Sequence, residues 1–310
     1  MPSKPIFLTP FRLNTVRNIL QFVCLLAWAV LSPAQAASSG PNPLSPSQAQ
    51  ALVSRALSTE LRTAQDPNHP MRYLLHKSSP RLSTTKEIVE TRDGGVALLL
   101  SINHQPLSAA DEQKEQARLN ALASDPSLQS HRKQNEDGDL GIILKLLRML
   151  PNAFLYQYAG SAASPTGGAT ARAPAMVEKF TFRPNPKFDP PDYETQALTA
   201  LSGEIWIDPA QARVVHLEGQ LQQDTNYGWG ILGRLHKGGW LVIEQADVGN
   251  RQWRIVHVQM QMSLRVLFKT RVFDSIQQMT GYTPVPVGMT YRQAIEMLRA
   301  SPDLSTRGAR

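Results

Sequence analysis

Cysteine is all but missing from this chain: Cys24 is the single one in 310 residues. It sits in an apolar stretch that reads as part of an N-terminal leader. The remainder is therefore expected to hold no disulfide, no thiol nucleophile and no thiolate metal site. Motif spacings are missing as well. The seven histidines (69, 76, 104, 131, 216, 236 and 257) are scattered singly, with no H-x-x-x-H or H-x-H pair to seed a metal site, and no G-x-S-x-G nucleophile elbow occurs. The sequence also lacks a long apolar run. The leader's block, Ile19–Leu31, falls short of the roughly 20 residues that a membrane helix needs. Excess charge is modest: 32 Lys and Arg face 25 Asp and Glu, and three of the cations lie in the first 36 residues. With no basic run interleaved with aromatics, nucleic acid is not an expected partner. No cofactor is expected, and catalysis has no local support.

What is present begins with that leader. Lys4, Arg12 and Arg17 precede the apolar block, and Ser32–Ala36 ends in an Ala-x-Ala pattern. Charge, apolar core and small-residue exit in that order read as a secretory signal cleaved near Ala36, so a periplasmic or otherwise exported protein is expected. Ala37–Pro43 reads as a spacer, 44–300 as one α+β domain with a helical insertion at 108–150, and 301–310 as a disordered tail.

Within the domain the local signals are explicit. Ser45, Pro46 and Gln48 form a capping box with proline in the first turn, and Leu52, Val53, Ala56, Leu57 and Leu61 keep helical spacing up to Asp66-Pro67. Strands are expected at Arg72–His76, Thr84–Thr91 and Val96–Asn103. Ser108 caps a charged helix with few apolar residues (Leu119, Leu122), which reads as a solvated face. His131–Asp139 is a mixed-charge run leading into Leu140–Leu150, read either as a buried helix or as an apolar flap whose cations, Lys145 and Arg148, snorkel.

From Pro151 onward the chain reads as β. Ala153–Tyr158 and Met176–Arg183 flank the small-residue loop Ala159–Ala175. The proline-rich Arg183–Pro191 cannot join a ladder, and Glu204–Asp208 with Arg213–Gln222 form a hairpin. Trp240–Val248 and Gln252–Lys269 are the strongest strands. In the latter Val256, Val258, Met260, Met262, Leu264, Val266 and Phe268 share one face, Ile255 lies on the other, and a bend is expected near Ser263. Thr290 and Gln293 cap a closing helix over Tyr291–Arg299.

Two motifs mislead. Gly228-Trp229-Gly230-Ile231-Leu232-Gly233 spells the dinucleotide fingerprint but leads into another strand instead of a helix, so a wide turn is expected. Ser83-Thr84-Thr85-Lys86 matches S-x-x-K inside a strand and carries no chemistry.

The run Leu201-Ser202-Gly203-Glu204-Ile205-Trp206-Ile207-Asp208-Pro209-Ala210, followed by Arg213-Val214-Val215-His216-Leu217-Glu218-Gly219, resembles the central hairpin of the outer-membrane lipoprotein-sorting family of LolA/LolB-like carriers. The likeness covers mainly Leu201–Lys269. It implies a curved antiparallel sheet, an incomplete barrel, whose concave apolar face is closed by N-terminal, inserted and C-terminal helices. The expected function is binding of a lipid, acyl chain or other apolar ligand without catalysis. Phe180, Phe182, Val256, Val258, Met260 and Met262 would line the face, and Ile143 and Leu147 would cover it; methionine suits such adaptable surfaces. The same residues also fit an ordinary core. The alternative function is an envelope protein that binds another protein. Peripheral membrane contact is compatible with both, and oligomeric state is left open.

Overall fold

Three chain segments, residues 44–166, 175–227 and 233–300, are described by the computed structural model. The leader, the spacer, the tail, the middle of the Ala159–Ala175 loop and Gly228–Leu232 lie outside the described residues. The chain opens with helix α1 (Pro46–Ala64), then β1 (Met71–Ser79), β2 (Leu82–Val89), β3 (Val96–Ile102) and the short β4 (Gln105–Pro106). Two consecutive helices follow, α2 (Ala109–Ser124) and α3 (Pro126–Ala153). Strands β5 (Phe154–Ala163) and β6 (Met176–Pro184), a 3-10 turn (Gln196–Ala200), β7 (Leu201–Asp208), β8 (Arg213–Leu221), β9 (Thr225–Tyr227) and β10 (Gly233–Leu235) come next. The chain continues through β11 (Trp240–Asp247), β12 (Trp253–Val266) and β13 (Lys269–Pro284) to helix α4 (Tyr291–Ala300).

The thirteen strands of the described residues join one open antiparallel sheet, in the order β4-β3-β2-β1-β13-β12-β11-β8-β7-β6-β5, with β10 on β12 and β9 on β10. The fold is α+β. Local caps set the helix starts. The Ser45 side chain accepts from Gln48 N while Gln48 reaches back to Ser45 N, and Thr290 and Gln293 make the same exchange ahead of α4. Asp125 closes α2 and caps α3 at once, with Pro126 in the first turn.

Register places in β12 a bulge that its sequence alternation does not reveal. Glu244 faces His257 but Gln245 faces Ile255, so Val256 is an extra, bulged residue. A bulge reverses the parity of everything beyond it. Ile255 consequently comes round to the face of Val258 and Met260, whereas Trp253 at the start of the strand packs with Val177 and Val215. The strand also ends sooner than expected: the chain reverses at Leu267-Phe268 and returns as β13. Leu267 adopts a positive φ of 52°, where a two-residue hairpin normally wants glycine, and Phe268 is 99% exposed. β13 gave no sequence signal because most of its residues are exposed and polar.

Helices lie on both faces of the sheet. Residues directly opposite in an antiparallel ladder share a face, and the partners Val258, Gln277, Lys77 and Thr84 carry one face across to β2. Val89 and its partner Val96 therefore belong to the other face. They form a small core there with Leu119 and Leu122 of α2 and Ala294, Ile295 and Leu298 of α4. This corrects the reading of α2 as a solvated face: Leu119 is fully buried, because one apolar seam suffices to dock an otherwise charged helix. It also corrects the expectation that all helices close the same face.

The main core lies on the first face, where α1 packs against β5 and β8. Ala49, Val53, Ala56 and Leu57 of α1 meet Phe154, Phe180, Phe182, Ile205 and Val214. Burying a Val53 or Leu57 side chain contributes ~2 kcal/mol. Gly203 is required inside this layer, since a Cβ there would fall 2.0 Å from the Glu218 carbonyl oxygen of the paired strand.

Candidate ligand cavity

Between this face and the helices lies a cavity of about 700 Å³. Its floor follows from strand register. Ile205, Leu217 and Ile243 are direct partners across β7, β8 and β11, and they line the cavity with Val214 and Leu241. Ile255, turned to this face by the Val256 bulge, and Trp253 also line the cavity. The roof is α3, whose Ile143, Leu146, Leu147 and Leu150 fall at i, i+3, i+4 and i+7 and line the cavity from one helix face. Away from that face, Lys145 pairs with Asp192 at 2.9 Å and with Glu194. The lysine expected to snorkel thus anchors the roof to the loop before the 3-10 turn. Ile142–Leu147 are half-buried rather than buried, as residues facing an unfilled space should be.

A buried ion pair holds the wall where α1 crosses β8. Arg213 donates from Nε and Nη2 to the two Glu60 carboxylate oxygens at 3.0 and 2.8 Å, and Val214 N donates to Glu60 Oε1 at 2.9 Å. Arg213 Nη1 also donates to Thr63. Every oxygen and most N–H groups are satisfied, which is what permits such a pair in an apolar wall.

Polar lining gathers at one end. The last turn of α1 and its loop supply Thr63, Asp66, Asn68 and His69, the end of β2 supplies Glu90, Thr91 and Arg92, and α3, β11 and β12 add Lys133, Gln245 and Arg254. Hydrogen bonds tie these segments together: Met71 N donates to Glu90 Oε2, Arg92 N to the Met289 carbonyl, and Arg254 Nη2 to the His69 carbonyl. Burial pushes the Glu90 carboxyl up, against the opposing pull of the Met71 hydrogen bond and the Arg254 charge.

The residues expected to form a site divide into groups. Ile143 and Leu147 line the cavity. Phe180, Phe182 and Met262 are packed in the main core, and Val258 and Met260 pack with Leu241, Ile243 and Met279 beside it. Val256 is the bulge residue and is not among the residues that line the cavity. Sequence reasoning missed the floor residues on β8 and β11, Leu217, Leu241 and Ile243. Their alternation was visible, but which face met α3 was not.

The opposite face carries a charged aromatic row. Lys179 lies 4.3 Å from the Trp206 ring centre, and the Trp206 and His216 rings meet at a tilt with their centres 4.7 Å apart. The two ring nitrogens of His216 approach Glu218 at 3.5 Å and Glu244 at 3.6 Å. Burial disfavours its charge, but the two carboxylates prevail and raise its pKa to about 9. Among the described residues no group of three or more His, Cys, Asp or Glu side chains could hold a metal ion. Likewise, no helix among them is long and apolar enough to cross a membrane. Comparison with family models, curated proteins and solved structures returned no match for this chain.

Proposed function

We propose that this protein is an exported, non-enzymatic carrier that holds an acyl chain or a similar apolar ligand between its sheet and α3, in envelope lipid or lipoprotein handling. The observation that carries the reading is the cavity itself: about 700 Å³, within the roughly 300–1,000 Å³ range of ligand pockets. Its floor of branched aliphatics and its roof of leucines give adaptable apolar contact and no reactive group. The resemblance to LolA/LolB-like carriers adds an expected sheet that curves around the ligand as an incomplete barrel.

The test uses delipidated protein and a fluorescent fatty-acid probe, with native mass spectrometry of undelipidated material. Saturable binding, or a co-purifying lipid that the probe displaces, is the expected result. Absence of both would make the cavity a packing gap and remove the reading.

The tip of the β12–β13 hairpin supports a second reading, docking to an envelope protein. Leu267, Phe268 and Val272 are exposed there together, whereas large apolar side chains grouped on a surface mark contact sites. Cross-linking from position 268 to one protein in envelope extracts, with no lipid bound to the cavity, would favour this reading.

A further inference from the structure

The cavity is polar at one end only, and its polar end is not electrically even. The cavity lining carries the cations Arg92, Lys133, Arg213 and Arg254. Three of them already face a carboxylate: Arg213 holds Glu60 at 2.8 Å, Lys133 holds Asp137 at 2.7 Å and Arg92 meets Asp93 at 3.6 Å. Arg254 differs. Its guanidinium donates to two backbone carbonyls, Trp253 at 3.0 Å and His69 at 2.5 Å, and has no carboxylate within ion-pair distance among the described residues. Of the five N–H donors that a guanidinium presents, three remain for another partner.

No rim acid among the described residues pairs with it. Glu60 is held by Arg213, and Asp66 accepts from Asn68 and lies 2.9 Å from His69. Glu90 accepts from Met71 N and makes no ion pair with Arg254; burial raises its pKa against the pull of the Arg254 charge. A cationic head group entering here would find only Glu90, while an anionic one would find a guanidinium fork whose geometry matches carboxylate and phosphate oxygens.

We propose that the natural ligand is an anionic single-headed amphiphile, with its head against Arg254 and its chain running between Leu147 and the Leu217–Ile243 floor. The inference rests on the carrier reading and narrows it: the cavity selects by head-group charge as well as by apolar length. The two backbone carbonyls hold the fork in place before the ligand arrives, which lowers the ordering cost of binding.

The experiment compares three probes of equal chain length, laurate, 1-dodecanol and dodecylammonium, below their micelle concentrations at pH 7.5. Each displaces a fluorescent fatty acid from the delipidated full chain. Laurate is expected to compete at least tenfold better than the alcohol. Arg254→Gln should abolish that preference by weakening laurate alone, and Arg254→Lys should keep part of it. Unchanged dodecanol binding in Arg254→Gln shows that the variant is folded. If that binding is also lost, Arg254→Lys and the wild-type ranking decide. Equal competition by laurate and dodecanol overturns the head-group assignment and leaves the carrier reading standing. Tightest competition by dodecylammonium overturns it in favour of Glu90. Failure of all three to bind removes both.

Discussion

Arg213 and Glu60 meet through two hydrogen bonds of 3.0 and 2.8 Å although 153 positions separate them. The pair joins α1 to the strand that carries part of the cavity floor. Removing one member leaves the other charged and out of water, which costs ~3–5 kcal/mol. Glu60→Gln is therefore expected to lower the denaturation midpoint sharply, and Glu60→Gln with Arg213→Met to recover much of the loss. Equal destabilisation in the single and double variants, read by urea melts, would show that packing and not the charge sets the effect.

His216 gives stability a defined pH dependence. Its pKa rises from 6.5 to about 9 on folding, through Glu218 and Glu244 and in spite of burial. A base whose folded pKa is raised stabilises fully below its unfolded value and loses that contribution as the pH climbs through the folded one. Stability should thus decline between pH 6.5 and 9, by an amount on the order of 3 kcal/mol. Glu218 and Glu244 are shifted down by the same contacts, so the cluster also weakens as acid protonates them. Thermal melts of wild type and His216→Gln across pH 6 to pH 10 check this; parallel curves would refute it.

Leu147 faces the cavity from the roof. Leu147→Trp places a larger ring into unfilled space, so binding of a fatty-acid probe is expected to fall at least tenfold. Stability should change by less than about 1 kcal/mol, in contrast to the ~1–3 kcal/mol that overpacking costs in a filled core. Calorimetry of the melt together with probe titration separates the two situations.

Leu267 occupies the left-handed region with φ of 52°. That conformation costs a branched residue ~1–2 kcal/mol, and glycine adopts it freely while losing more chain entropy on folding. Leu267→Gly is expected to stabilise the fold by about 0.5–1 kcal/mol. A lower melting temperature would mean that the Leu267 side chain makes contacts that offset the strain.

Local chemistry was the legible part of this fold. Ser45 with Gln48, Ser108, and Thr290 with Gln293 each announce a helix start because the bonding partners lie within three residues. The hairpin of β7 and β8 was legible for the same reason. Long-range features were not. Nothing in the order of residues marks Val256 as extra, because a bulge is set by the neighbouring strand. The exposed β13 lacks the apolar alternation by which strands are recognised. Leu119 and Leu122 are too few to distinguish a docked helix from a solvated one until Ile295 and Leu298 are brought beside them. Of the cavity, the roof residues Ile143 and Leu147 were named from sequence, whereas the floor and Arg254 depend on parity and on loops far apart in the chain.

The pairing of β1 with β13 has a kinetic side. Leu75 lies opposite Met279, so β1 must wait for a strand about two hundred positions later before its second edge is satisfied. β2, β3 and β4 hang from β1, while β11, β8 and β7 hang from β12 on the other side. The late strand is the seam between these halves, and such distant pairing slows folding. Until residue 284 is available, two sheet fragments with open edges coexist, the state in which a β-rich chain is most exposed to misassociation. Because the seam comes last, neither fragment can complete its edges while the C-terminal part of the chain is still emerging.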